Sequence, residues 1–204
     1  GSSEVANGGL ASQYFEAAFS IYDIAALDDF DNPSGLSGSS LSMVLTFSTG
    51  SADLVSGAQI NFYSSSDAAG VSLVGDVASE DFVGTPAVNA DWAGASTMFD
   101  FEGTGFWPLN AGMNYAAAIP VNEFGVNGQT FTSSSNIGDN NCWQANPAGG
   151  FGFGAIQVAA ANLMYRINGG TGNPCDLPLS ETCSGDISGP EGTPDGFVSV
   201  DDVL

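Results

Sequence analysis

Short apolar runs of period two, broken by turns rich in Gly, Ser, Asn and Asp, recur through residues 1–172. Such alternation gives a segment one apolar and one polar face, which a strand can use and a helix cannot. In Leu41–Ser48, Leu41, Met43, Leu45 and Phe47 share one face, while Ser42, Thr46 and Ser48 share the other with Val44. Ala58–Ser64 sets Ile60 and Phe62 against Gln59, Asn61 and Tyr63, and Thr97–Glu102 sets Phe99 and Phe101 against Asp100 and Glu102. Met113–Val121 groups Met113, Tyr115, Ala117 and Ile119; Asn162–Asn168 groups Leu163, Tyr165 and Ile167, with Arg166 turned away. Strands wet on one face must bury the other against a second sheet. The expected fold is therefore all-β, an antiparallel, jelly-roll-like β-sandwich over residues 1–172.

Two stretches fit this rhythm less well. In 14–27, Phe15, Phe19, Tyr22 and Ala26 have helical spacing, while Phe19, Ile21 and Asp23 have strand spacing. The Tyr, Phe and Ile content, closed by Asp28 and Asp29, favours a strand. Segment 122–154 is Gly- and Asn-rich and reads as a long loop region with short strands. FGFGAI at 151–156 lacks the GxGxxG spacing and the following helix of a nucleotide loop, so it reads as a turn or strand edge.

Charge restricts function. The chain carries 23 acidic residues against one cation, Arg166, with no Lys and no His, for a formal charge of −22. Its 43% hydrophobic content separates it from disordered acidic tails. One cation cannot build a phosphate-binding face, which excludes nucleic acid and anionic membranes as partners. Membrane insertion is not expected, since no apolar run approaches the ~20 residues of a spanning helix. Without imidazole, Ser-His-Asp and Cys-His pairs and His-ligated zinc are excluded; without lysine, so are Schiff bases. Neutralisation falls to metal ions, and an oxygen-rich surface suits Ca²⁺. The first residues, GSSEVANGG, lack the basic and apolar regions of a signal peptide. Three cysteines, none in a CxxC, fit an oxidising, extracellular or cell-surface setting.

Gly169–Pro174 (GGTGNP) breaks the pattern, and residues 173–204 form a Cys-bracketed appendage too poor in apolar residues for a core of its own. Cys175 and Cys183 enclose seven residues, a span suited to a disulfide, which leaves Cys142 free or paired between chains; Cys142 bonded to one of the two is the alternative. From Asp195 the tail reads DGFVSVDD. A calcium loop of the EF-hand type needs an oxygen ligand, a glycine for the sharp turn, a main-chain carbonyl, a polar group and a terminal acid. Asp195, Gly196, Phe197, Ser199 and Asp202 stand in that order, with Asp186 and Ser188 upstream if GPEGTP is an insertion.

GDISG…PDGFVSVDDVL resembles the first half of a type I dockerin repeat, over residues 185–204 only. Dockerins pair two calcium loops, each followed by a helix, and dock onto cohesins. The resemblance implies calcium-ligand roles for Asp186, Ser188, Asp195, Phe197 (through its carbonyl), Ser199 and Asp202. Here the loop is about five residues longer than the usual twelve, and no second repeat follows, so cohesin binding is not expected.

Trp92, Trp107 and Trp143, with Phe106, Phe151 and Phe153, form a candidate glycan-stacking set, set against ordinary core packing. No catalytic residue is nominated: with 23 carboxylates some pair, such as Glu80 with Asp81 or Asp100 with Glu102, always looks suitable for a glycoside hydrolase. The expected function is a non-catalytic extracellular structural or adhesive protein that self-assembles, through calcium or through exchange of a terminal strand, at the cell surface or in a filament or matrix. The alternative is a carbohydrate-binding module, with polysaccharide as partner, in a secreted dockerin-bearing protein.

Overall fold

The computed structural model describes residues 8–49, 54–89 and 97–170. Among these, thirteen strands form two sheets. The first holds β1 (Gly9–Ala11), β3 (Ser37–Phe47), β6 (Ala87–Val88), β7 (Thr97–Trp107) and β9 (Thr130–Ser135) in the order β1-β9-β3-β7-β6. Two further strands, β12 (Asn162–Leu163) and β13 (Tyr165–Gly170), pair with β9 and β3. The second sheet holds β2 (Ala25–Asn32), β4 (Gly57–Tyr63), β5 (Ala78–Val83), β8 (Gly112–Val121), β10 (Cys142–Ala145) and β11 (Ile156–Ala159), in the order β11-β10-β2-β8-β4-β5. Every pairing between these strands is antiparallel. The all-β, two-sheet expectation is met.

The core lies between the sheets. Leu41, Met43, Leu45, Phe99, Phe101 and Trp107 from one sheet pack on Ala58, Ile60, Phe62, Ala116 and Ala118 from the other. Small alanines on β8 make room for the rings of the facing layer, and Phe62 meets Trp107 at 5.0 Å between centroids. Burying each large side chain of this layer contributes about 1.5–3 kcal/mol.

One wet face per strand does not hold throughout. The reverse face of the second sheet is covered by α1 (Ser66–Val71), capped by the Ser65 hydroxyl, and by Leu73. Tyr63, Ala117, Ile119, Ala25 and Leu27 are therefore buried on that side too. AAAI in β8 and AAL in β2 are continuous apolar runs for this reason.

Segment 14–27 also departs from expectation. An antiparallel bridge between Gln13 and Ile24 brings its two ends together, so the chain between them must turn rather than run as one strand. It does so through a 3-10 helix, Ala17–Tyr22, and only then enters β2. The Asp23 carboxylate closes the loop by accepting the Phe15 N–H at 2.8 Å.

Candidate functional site

The loop that corrects the strand expectation also builds the most distinctive surface. Phe15 packs on Tyr22 and on Phe124, which opens α2 (Phe124–Asn127), with ring centroids 6.4 and 5.7 Å apart. Phe124 meets Phe19 at 5.7 Å, Tyr22 meets Phe151 at 5.3 Å, and Phe151 lies nearly parallel to Phe153 at 6.3 Å. Six rings from three segments thus form one unbroken ridge. Phe19, Tyr22, Phe124 and Phe151 are each about two-fifths exposed, and Ile21 and Val126 extend the apolar surface.

Polar side chains hold the ridge from below. The fully buried Asn146 amide donates to the Ile21 and Asp23 carbonyls at 2.9 and 2.8 Å and accepts the Phe151 N–H at 3.1 Å. Glu16 accepts the Phe124 and Gly125 N–H groups at 2.8 and 3.2 Å, fixing α2 beside the 3-10 helix. Its own main-chain N–H and these two hold the Glu16 carboxyl below the usual range. The scaffold thus presents these rings together as one exposed apolar patch.

A second feature is an acidic groove of about 460 Å³. β10 begins at Cys142, opposite Asp28, whereas β2 runs on to Asn32, so half of β2 faces a notch instead of a strand. Asp29, Asp31 and Asp139 line it with Tyr165, between the exposed shoulders Met113 and Ile137. The Tyr165 hydroxyl donates to the Asp29 carbonyl at 2.7 Å. Asp28 lies deeper, 5% exposed, and its oxygens accept the Leu163 N–H at 2.6 Å and the Asp29 N–H at 3.0 Å. Burial pushes its carboxyl up to about 7; the two amides oppose this, and the Asp29 and Asp139 charges add to it. With both oxygens occupied by main-chain amides, Asp28 is a tie between β2 and β12 rather than a group presented to a ligand.

The structure separates the sequence-nominated residues. Trp107 is 5% exposed, its Nε1 donates to Glu80 at 2.6 Å, and its ring is part of the core; no face is left for a sugar, which corrects its nomination. Trp143 is half-buried with its ring edge-on to Tyr115 at 5.1 Å. Cys142 is buried and has no disulfide partner among the described residues, and burial, chiefly, with the Asp28 charge pushes its thiol up to about 12. Trp92, Cys175, Cys183 and the proposed calcium ligands Asp186, Ser188, Asp195, Phe197, Ser199 and Asp202 lie outside the described residues. Among the described residues no three acidic or Cys side chains are placed to hold a metal ion. Phe15, Phe19 and Tyr22 carried a usable signal in their helical spacing; Phe124 carried none.

Comparison with known proteins finds no family model, curated protein or solved structure that matches this chain.

Proposed function

We propose that this chain is a non-catalytic structural or adhesive protein of the cell exterior, a jelly-roll-like sandwich that self-assembles with other copies and is stabilised by calcium through its dockerin-like tail. The observation that carries the reading is the six-ring ridge. In a chain of charge −22, two copies repel unless the contact is apolar or bridged by cations, and the ridge offers apolar rings for such a contact. Apart from the Phe151–Phe153 pair, its rings meet at 54–71°. Rings tilted in this way present edges and faces to a knobbed protein surface rather than one plane to a pyranose.

The test is size-exclusion chromatography with light scattering of the chain and of Phe19→Ser/Phe124→Ser, each in millimolar calcium and in EDTA. Assemblies that fall to the 20.6 kDa monomer in the double variant support the reading. A wild-type monomer in both buffers sinks it.

A second reading, a carbohydrate-binding module, draws on a smaller groove of about 310 Å³. There Tyr14 donates to Gln59 at 2.7 Å and Gln59 donates to Asp81 at 2.8 Å, a hydrogen-bonded row beside Phe82 and Val121 that suits sugar hydroxyls. Retention on insoluble polysaccharide, lost in Gln59→Ala, would favour it.

A further inference from the structure

Arg166 is the only basic side chain in the sequence. It stands exposed on β13, paired in register with Ser42, and makes no ion pair or hydrogen bond among the described residues. The carboxylate nearest along that row, Asp100, sits opposite Ser42 and is already engaged by the Ser42 hydroxyl and the Asn89 amide. Its neighbour Tyr165 points inward and lines the acidic groove. Alternation along a strand therefore puts the lone cation and the groove on opposite faces of β13. An arginine on one face cannot fold back into the groove of its own copy.

We propose that Arg166 of one copy enters the Asp29–Asp31–Asp139 groove of the next, giving a head-to-tail contact between subunits. The fit is chemical as well as electrostatic. Asp31 and Asp139 are exposed acceptors suited to a guanidinium fork, and Met113 and Ile137 flank the opening where the aliphatic stem of the arginine would lie. Because donor and acceptor lie on opposite faces of β13, a single two-fold interface does not bring both pairs together, and the contact is heterologous: repeated, it closes into a ring or runs on as a filament. This inference rests on the self-assembly reading and supplies that reading with a polar joint distinct from the aromatic ridge.

Two single-joint variants test it: Arg166→Gln, which keeps the groove, and Asp31→Asn/Asp139→Asn, which keeps the arginine. All the substituted side chains are exposed, and circular dichroism checks the fold of each variant. Association is followed by light scattering near 0.1 M salt, where a Debye length of ~10 Å screens the net charges but not a contact pair. The expected result is association of the wild type that weakens about tenfold or more in either variant. An equimolar mixture of the two then forms a heterodimer and stops there, since only one productive joint exists between them. Arg166→Lys is expected to keep part of the association. Wild-type assembly that persists undiminished in Arg166→Gln overturns this joint and leaves the assembly reading standing; a monomeric wild type at every salt and calcium concentration overturns both.

Discussion

The Asp28 carboxylate on β2 accepts the Leu163 N–H of β12 at 2.6 Å, tying the second sheet to the first from a position only 5% exposed. The burial of this carboxyl makes stability depend on pH in an unusual direction. Asp28 titrates near 7 in the fold against 3.8 in an unfolded chain, so the native state holds more protons between those values. Stability therefore rises as the pH falls through 7, by up to about 1.4 kcal/mol per pH unit for this one group. Glu16, Asp76 and Glu80 are held below their ordinary values, and their contributions are withdrawn as the pH falls below about 4. The thermal midpoint should peak between pH 4 and 7, and Asp28→Asn should flatten its upper limb. A wild-type midpoint that climbs from pH 6 to 8 would contradict this.

Glu80 joins edge strand β5 to β7 by accepting the Trp107 Nε1–H at 2.6 Å and the Thr104 N–H at 2.7 Å. Glu80→Ala leaves the buried indole donor without a partner and should cost about 1–3 kcal/mol in urea unfolding. The Trp107 emission should change in the folded baseline. Glu80→Gln retains an acceptor and should cost less.

Asn146 supports both the 3-10 helix and the Phe151 loop, which are also joined directly by the Gly150 N–H donating to the Ile21 carbonyl at 3.2 Å. Asn146→Ala should cost about 1–3 kcal/mol, since the Asp23 carbonyl and the Phe151 N–H lose this partner together. Hydrogen exchange should quicken across residues 17–22 and 147–154 while β3 and β8 stay protected. Uniform loss of protection would show that the ridge is not a separable unit.

Gly138 sits at φ +136°, and a Cβ there would collide with the Asn162 side chain. That amide oxygen already accepts the Asn140 N–H at 2.7 Å, holding the Asp139 segment over the groove. Gly138→Ala should cost about 1–3 kcal/mol through backbone strain and weaken any contact made through Asp139. An unchanged melting midpoint would contradict it.

The strands most legible in the sequence were those whose apolar and polar residues alternate, even where both faces are buried, as at Asn61 and Tyr63. Ser37–Phe47, Gly57–Tyr63 and Thr97–Trp107 appear where Leu41–Ser48, Ala58–Ser64 and Thr97–Glu102 were expected, each longer or shifted by a few residues at its ends. β9 was not singled out because TFTSSS is polar on both faces, yet Thr130, Thr132, Ser133, Ser134 and Ser135 are all buried. A buried strand built of hydroxyl side chains leaves no hydrophobic period to read. The ridge was hidden differently. Its members lie at 15–22, 124 and 151–153, and only the bridge between Gln13 and Ile24 and the reach of Asn146 bring them together. Trp107, the residue type most suggestive of sugar stacking, went to the core because Glu80 gives its N–H a partner there.

The register of the first sheet also gives the domain a top and a bottom. β13 ends at Gly170 opposite Ser37, and the chain enters β1 at Gly9 heading towards Gln13 and the 3-10 helix. α2 precedes β9, whose first residue pairs with Phe47 at the far end of β3. Ten residues of strand, about 33 Å, separate Ser37 from Phe47. The aromatic ridge thus crowns the pole remote from the point where the described chain departs. A domain tethered there would hold its aromatic tip outward like the head of a matchstick, clear of its own stem.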